Sequence, residues 1–389
     1  MDKKKRNIII ATIFSLILTI TGTTYAYFSW QSNNNPLVDI TVEDMADIIF
    51  KGGYDMKKIG FKTIFIFLLT MFLFYYLLKD NFIESMKLLK NANYLYIILA
   101  FIIFGLYIIV EAYLLYTLIK KQKKNYKFKD AINLNIMTKF FNGITPFSLG
   151  GQPLQIYRLN REGVSVTKGI LILVENFIIL QITMTLMSIL YLIIGYIFNI
   201  MPNGFILYIT ILGIIITIVS LFIAMFLCLK TSVAKKVGYF FINKFKFFKD
   251  KEDEKKKWST KCTEYSLGYK ELAKDKKFII KCVIINFIYM TIYFMVPFFV
   301  FKALHSDMNI NFIYSIIFSC FIYTSSCFVP IPGASVGAEY SFIHYFEVIV
   351  KEAFIIPGLL VWRFITYYIP MIIGGIMFNI IDSKNVKNK

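Results

Sequence analysis

Long, uninterrupted apolar stretches are the feature that most restricts how this chain can fold. A helix needs about 20 apolar residues to cross the hydrocarbon core of a bilayer, and several stretches of the chain are that long. They lie at residues 7–28, 60–78, 94–119, 168–197, 205–229, 278–302 and 354–381. A membrane β-barrel would show alternating strands of about ten residues, and the sequence lacks that pattern. We therefore predict an all-α, polytopic integral membrane protein with about 7–8 transmembrane helices.

Composition supports this fold class and excludes others. Of 389 residues, 57% are hydrophobic and only 17% are charged, whereas a soluble domain carries about 25% charged residues. The net charge of +19 is typical of Lys-rich cytoplasmic loops and favours anionic lipid headgroups as partners. No compact basic domain is present, so we expect no nucleic-acid partner. The five cysteines and two histidines lack metal-ligand spacing, and we expect neither a metal nor a cofactor.

Basic segments predict the orientation and the domain boundary. The loop Lys120–Lys124, the Lys-rich segment 230–277 and the C-terminal tail should be cytoplasmic. The segment 230–277 is expected to be a solvated loop with an amphipathic helix on the membrane around 240–248. Counted back from these loops, residue 56 is also cytoplasmic, and nothing in 29–56 brings the chain back across after 7–28. We therefore predict a transmembrane domain over 56–389 and an N-terminal appendage, 1–55, with a signal-like or anchor segment.

Two further apolar segments are interrupted by proline and glycine. The first, 130–157, contains Pro146, Gly150 and Gly151, and the second, 312–348, contains Pro332 and Gly333. Non-helical backbone at membrane depth is tolerated only inside protein or along a wet cavity. Two re-entrant segments of opposite orientation, one in each half, indicate a transporter substrate site. No residue-level repeat is visible, so an inverted repeat is a hypothesis.

The first broken segment offers candidate anion ligands. Pro146, Gly150 and Gly151 free backbone amides for a substrate anion, and Arg158 and Arg161 could hold phosphate through paired hydrogen bonds. The alternative is a packing break followed by ordinary cytoplasmic arginines.

The second broken segment leads to a candidate ion pair. Pro332 and Gly333 precede Glu339, and a carboxylate inside a membrane indicates a functional site with a nearby partner. We predict Arg363 as that partner, with Lys351 as the alternative, and a purely structural pair is the competing interpretation.

Three more charged residues fall in apolar segments. Glu175 is a second buried acid in the candidate site, with Arg161 or Lys168 as its expected partner. Glu111 is expected to make a hydrogen bond between helices, with a substrate role as the alternative. Lys139 is expected to extend toward the interface, with contact to a lipid phosphate as the alternative.

The full set of motifs resembles a known family. The motifs are Thr145-Pro146-Phe147 with Gly150-Gly151-Gln152-Pro153, Pro330-Ile331-Pro332-Gly333 with Gly337-Ala338-Glu339, and Arg363 with Tyr367, Tyr368 and Pro370. In this order they resemble the transmembrane, flippase-like domain of bacterial lysylphosphatidylglycerol synthases, over residues 56–381. Ala334 stands where a second glycine is common in that family, and Asn176 follows Glu175 where a basic residue is common. The soluble lysyl-transfer domain of the full-length synthases has no counterpart in this sequence.

This resemblance implies three alternative functions in a bacterial plasma membrane. The first is a translocase for an anionic or lysyl-modified phospholipid or a polyprenyl-linked lipid. The second is an enzyme, phosphatidylglycerol lysyltransferase, which would use lysyl-tRNA and confer resistance to cationic peptides. The third is an accessory subunit for a separate lipid synthase or glycosyltransferase. The sequence offers no catalytic residues, so catalysis by the chain itself is the weaker expectation.

Overall fold

A computed structural model describes residues 87–145, 148, 150–201, 204–244, 251–305, 309–327, 329, 334 and 337–387. Every secondary-structure element in these ranges is helical, which confirms the predicted fold class. The apolar stretches 7–28 and 60–78 and the proposed boundary at residue 56 lie outside the described residues.

The helices follow the apolar stretches closely. In chain order they are α1 (Tyr94–Gln122), α2 (Phe128–Ile144), α3 (Gly151–Arg161), α4 (Val166–Ile197), α5 (Phe205–Leu229), α6 (Thr231–Lys244), α7 (Lys251–Lys274), α8 (Lys276–Leu304), α9 (Phe312–Ser326), α10 (Gly337–Phe346), α11 (Glu352–Arg363), a π-helix (Phe364–Tyr368) and α12 (Ile369–Lys387). Within the described part of the chain, five helical stretches are long and apolar enough to cross a membrane. They are α1, α4, α5, α8 and the stretch Glu352–Ile381.

Polar residues fix where these helices begin. The side chains of Asn93, Asp275 and Asn311 accept hydrogen bonds from first-turn amides of α1, α8 and α9, at 3.1, 3.1 and 2.9 Å. Such N-caps satisfy amides that have no partner within the helix. The apolar runs of α1, α8 and α9 therefore start as helices directly after their polar caps.

Helices α1 and α8 form the central antiparallel pair. At the Lys-rich end of the bundle, Lys121 lies 3.9 Å from the carboxylate of Asp275. At the other end, the amide of Asn93 donates to the carbonyl of Ala303 at 2.7 Å. The pair therefore runs side by side along its length, with the Lys-rich end predicted to be cytoplasmic.

The order of helix lengths in the first half of the chain repeats in the second half, where the helices run in the opposite direction. Helices α1 to α4 form a long, medium, short and long series, and α8, α9, α10 and the stretch from α11 to α12 form the same series. Because α1 and α8 are antiparallel, the two series enter the membrane from opposite sides. Helix α2 packs against α12, and α9 packs correspondingly against α4. This arrangement supports the hypothesis of an inverted repeat.

The two broken segments also share a backbone feature. Ser148 and Ala334 have φ angles of 54° and 52°, and each lies three residues before the glycine that begins the next short helix, Gly151 or Gly337. A side chain in this left-handed region costs about 1–2 kcal/mol. The cost gives a physical reason why the family that this sequence resembles favours glycine where Ala334 stands.

The segment 230–277 differs from its prediction as a solvated loop. Its described residues form a helical hairpin, α6 and α7, which packs on α4, α5 and α8. The indole of Trp258 fills the space beside Gly238 and donates to the carbonyl of Ala234 at 3.1 Å. Gly268 gives similar room to Leu171. Residues 245–250, part of the predicted amphipathic helix, lie outside the described residues.

Candidate functional site

Glu339 and Arg363 form an ion pair inside the helical bundle. The Arg363 Nε atom lies 2.9 Å from Oε1 of Glu339, and the two side chains are 6% and 12% exposed, respectively. The partner predicted from the sequence is therefore confirmed. Charges inside a membrane-spanning bundle are rare, and this pair is therefore a candidate functional site.

The two charges lie on neighbouring helices. Glu339 lies in the first turn of α10, where the partial helix charge is positive and favours a carboxylate. Arg363 lies where α11 continues into the π-helix. Gly337 allows the start of α10 to pack against Val329, because a Cβ atom there would overlap the valine side chain. Close packing thus places Glu339 beside α11.

A π-helix follows Arg363 and widens the backbone. Pro370 has no amide hydrogen to donate to residue 366. The amide of Ile369 instead donates to Phe364, five residues earlier. Single π turns of this kind are frequent at functional sites.

The π turn surrounds the guanidinium with aromatic rings. Arg363 lies 4.9 Å from the ring centre of Trp362 and 5.5 Å from that of Tyr367. The Tyr367 hydroxyl donates to the carbonyl of Gly143 in the last turn of α2, at 2.8 Å. The second half of the chain is thereby joined to the first broken segment.

A second ion pair lies between α1 and α2. The ammonium of Lys139 donates to Glu111 Oε1 at 2.7 Å and to the Tyr107 hydroxyl at 3.0 Å. Asn135 donates to Glu111 Oε2 at 2.9 Å. The interhelical hydrogen bond expected of Glu111 is confirmed. The expectation that Lys139 extends to the interface is wrong, because Glu111 and Tyr107 hold its ammonium within the bundle.

Tyrosines connect the two ion pairs. The ring of Tyr107 lies 5.0 Å from that of Tyr293 and 5.7 Å from that of Tyr289. Tyr293 in turn interacts with Arg363 and hydrogen bonds Thr366. We call the connected set the mid-membrane polar cluster, and it consists of Tyr107, Glu111, Asn135, Lys139, Tyr289, Tyr293, Tyr323, Glu339, Arg363, Thr366 and Tyr367.

The cluster lies near the middle of the bundle. At 1.5 Å per residue, Lys139 is roughly 16 Å along α2 from its Lys-rich end, and Arg363 is roughly 16 Å along α11 from the opposite end. The tyrosines and Lys139 were missing from the predicted site. The sequence did contain a signal for them. Tyr107 and Glu111 are four residues apart in α1, and Asn135 and Lys139 are four residues apart in α2. This spacing places each pair of polar side chains on one face of its helix.

The glycines of the first broken segment use their amides internally. Gly150 donates to the Thr145 hydroxyl and Gly151 to the Asn142 side-chain oxygen, both at 2.8 Å. A Cβ atom at Gly151 would lie 2.5 Å from that same oxygen. In this conformation, therefore, the glycines permit close packing, and their amides are already satisfied.

Arg158 and Arg161 lie at the far end of α3 from Gly151, and the structure does not bring them into the polar cluster. Arg161 donates to the Tyr157 hydroxyl at 2.9 Å. Arg158 interacts with Glu162, where burial raises the carboxyl pKa and the arginine opposes that rise. These two predicted phosphate ligands belong to the Lys-rich surface.

Glu175 is separate from both ion pairs. It is 1% exposed, and its Oε2 atom has no hydrogen-bond partner among the described residues. Its charge interacts with Lys121 of α1, so the predicted pairing with Arg161 or Lys168 is wrong. The chain folds Lys121 toward α4, which the sequence spacing did not indicate.

The remaining predicted ligands, Pro146, Pro332 and Gly333, lie outside the described residues. Among the described residues, no group of three or more His, Cys, Asp or Glu side chains could hold a metal ion.

Comparison with known proteins agrees with this architecture. A UPF0104 membrane protein from Archaeoglobus fulgidus is 26% identical over 318 residues, which is 78% of this chain and 92% of that protein. The sequence model of the lysylphosphatidylglycerol synthase TM region matches residues 61–374, a range that includes both broken segments and both ion pairs. The chain therefore belongs to the lysylphosphatidylglycerol synthase transmembrane-region family.

Proposed function

We propose that this chain moves a phosphate-bearing lipid between membrane leaflets by passing the headgroup through the mid-membrane polar cluster. The observation that supports this most strongly is the pair of opposite-charge contacts, Glu111 with Lys139 and Glu339 with Arg363, joined by tyrosines at mid-membrane. Replacing a buried ion pair with apolar side chains often leaves a fold equally or more stable. Two such pairs in one bundle therefore favour a polar cargo over a purely structural role.

The groups of the cluster match the parts of such a headgroup. Arg363 offers planar, paired donors for a phosphate, while Glu339 and Glu111 can attract a cationic group such as a lysyl amine. Tyrosine hydroxyls would replace water around the moving headgroup, and the acyl chains would remain in the bilayer. Exchange of the Glu339–Arg363 contact for phosphate would open the pair without leaving the arginine uncompensated.

We expect an anionic or lysyl-modified phospholipid or a polyprenyl-linked lipid as cargo, in the plasma membrane. Export of a lysyl-modified lipid would add positive charge to the outer leaflet and repel cationic peptides, which would give antibiotic resistance. A separately encoded synthase or glycosyltransferase would supply the lipid. Lysyl transfer by this chain itself is the alternative, and transfer of lysine from lysyl-tRNA to lipid by the purified chain would establish it.

Translocation is tested in vesicles that contain the purified chain and headgroup-labelled phosphatidylglycerol. Loss of inner-leaflet label is followed after an impermeant quencher is added. Glu339→Gln should slow lipid movement about tenfold or more, since a charge-assisted hydrogen bond contributes about 1.5–3 kcal/mol. Glu352→Gln removes a carboxylate that is exposed at the start of α11, and this matched control should move lipid at the wild-type rate.

A double variant that makes both residues of the pair neutral tests transport separately from folding. The double variant Glu339→Gln with Arg363→Gln keeps the shape of the contact and removes both charges, so it should fold and yet move lipid as poorly as Glu339→Gln. If the double variant regains the wild-type rate, the ion pair serves only the structure and the proposed site is wrong.

A further inference from the structure

A buried carboxyl group lies outside the mid-membrane polar cluster, and no positive charge among the described residues is in hydrogen-bond contact with it. Glu175 is roughly 14 Å along α4 from its Lys-rich end, at 1.5 Å per residue, and it is 1% exposed. Its Oε2 atom has no hydrogen-bond partner among the described residues. An ionised carboxylate buried without such partners is costly, and a group in this position usually takes up a proton instead.

A second buried polar side chain lies on the neighbouring helix. Asn286 of α8 is fully buried, and its side chain interacts with that of Tyr289, one turn further along α8. Cys282, one turn earlier on α8, is within electrostatic reach of Glu175. Buried polar side chains of α8 therefore extend from the neighbourhood of Glu175 to Tyr289, and a protonated carboxyl group at Glu175 supplies both a donor and an acceptor.

Few titratable groups face Glu175. Lys121 from α1 and Cys282 from α8 interact with it. Three titratable groups of other helices packed on α4 have different neighbours. Arg158 of α3 interacts with Glu162, Cys228 of α5 interacts with Tyr269 of α7, and Cys320 of α9 contacts Ser188. A single lysine, itself 3.9 Å from Asp275, is thus the described positive charge that acts on Glu175.

The position of Glu175 joins the Lys-rich surface to the polar cluster. On one side are Lys121 and Asp275, which are partly exposed. On the other side Asn286 is followed, one turn along α8, by Tyr289, which interacts with Glu111. A proton bound at Glu175 can therefore reach solvent through the surface pair and affect the charge balance of the cluster through α8.

We propose that Glu175 is a proton-binding site and that proton exchange there drives the lipid movement. A proton from the solution on the Lys-rich side binds the Glu175 carboxylate, and its release to the solution on the opposite side of the membrane restores the carboxylate and supplies the free energy for lipid movement. The coupling to transport rests on the proposed function, whereas proton binding does not.

Proton binding is tested by infrared spectroscopy of the full chain in lipid, between about pH 5.5 and about pH 8.5. A protonated carboxyl group has a carbonyl stretch that a carboxylate lacks. The wild type should show this band, and the band should fall about tenfold per pH unit once the group is deprotonated. Glu175→Gln should remove the band. Glu111→Gln should leave it, since Glu111 is held by a lysine. The same spectrum in Glu175→Gln and in the wild type would overturn the proposal.

Coupling is tested with the lipid assay under an imposed pH gradient. The gradient should change the rate of lipid movement by the wild type and should have no effect on Glu175→Gln. A Glu175 band without any lipid movement by the wild type would keep the proton site and reject the proposed function. Equal response of the wild type and Glu175→Gln to the gradient would reject the coupling. Loss of the Glu175 band on addition of sodium chloride, but not of choline chloride, would reject the proton as the driving ion in favour of sodium.

Discussion

At the scale of single residues, the stability of this chain depends on charges that compensate each other. Arg363 is 5% exposed, and Glu339 supplies the opposite charge 2.9 Å away. Loss of one partner would leave an uncompensated charge in the interior, which costs about 3–5 kcal/mol, whereas loss of both can be nearly neutral. The contribution of the pair to stability is therefore visible only in a comparison of single and double variants.

We expect Glu339→Gln to lower the thermal stability of the detergent-solubilised chain by about 3 kcal/mol. The double variant with Arg363→Gln should be within about 1 kcal/mol of the wild type. Thermal unfolding followed by size-exclusion chromatography measures both. A double variant as unstable as the single variant would show that the cost comes from loss of the Glu339 contacts and not from an uncompensated arginine charge.

Glu162 lies outside the membrane-spanning segments, and burial and the neighbouring positive charges shift its pKa in opposite directions. Burial raises its pKa, while Arg158 and Lys123 lower it. The folded chain thus holds the Glu162 proton more tightly than the unfolded chain does. Its effect on stability is most favourable below the ordinary glutamate pKa and is lost as pH rises through the folded value.

Glu162→Gln removes this titration. The variant should be more stable than the wild type at about pH 8 and equal to it at about pH 4, with the melting temperature measured across that range. If the wild type instead gains stability over the variant as pH rises, attraction by Arg158 and Lys123 exceeds the effect of burial.

At the scale of helices, close backbone contacts decide how the elements meet. Gly374 of α12 lies against the backbone of Ile136 and Phe140 in α2, where a Cβ atom would overlap the Ile136 carbonyl oxygen. Gly105 of α1 faces open space. Gly374 therefore lies where a larger side chain would clash, whereas Gly105 has room for one.

Alanine at these two positions should give opposite results. Gly105→Ala should stabilise the chain by about 1 kcal/mol, because alanine favours helix. Gly374→Ala should destabilise it by about 1–3 kcal/mol, because α2 and α12 must separate. Melting temperatures of the two variants test this directly. A stabilising Gly374→Ala would mean that the contact between α2 and α12 is looser than described.

The helices themselves were predictable because each is a long apolar run, and several of these runs are bounded by a polar cap or a charge. The stretches predicted to begin at 94 and 205 begin at Tyr94 and Phe205. The Glu339–Arg363 pair was predictable because both residues are isolated charges in apolar segments. The Glu111–Lys139 contact could not be predicted from the sequence. Each charge alone fits a simpler explanation, and only the packing of α1 on α2 brings the two side chains together.

The hairpin of α6 and α7 escaped prediction for a similar reason. Its sequence is charged, and its helices gain stability from contacts such as Trp258 beside Gly238. A large residue and a glycine distant in sequence complement each other only in three dimensions. Sequence periodicity predicts local helices well, but it does not predict contacts between residues that are distant in sequence.

At the scale of the whole molecule, the orientation of the bundle can be tested with cysteine variants. Cys327 is an exposed native cysteine, so Cys327→Ser is the background. Lys124 and Glu347 are exposed at opposite ends of the bundle. Because Lys-rich loops stay in the cytoplasm, Glu347→Cys should react with an impermeant maleimide in intact cells. Lys124→Cys should react only after the cells are opened, and the reverse pattern would invert the orientation.

The repeated series of helices has a consequence for reversibility. A scaffold that presents the same order of elements to each leaflet has no built-in preference for export or import. Any preference has to come from the parts that differ between the halves. Glu175 lies in the fourth helix of the first half, and Arg363 lies in the matching stretch of the second. Under the proposed function, we therefore expect the gradients of lipid and of protons, and not the repeated series of helices, to determine which leaflet gains lipid.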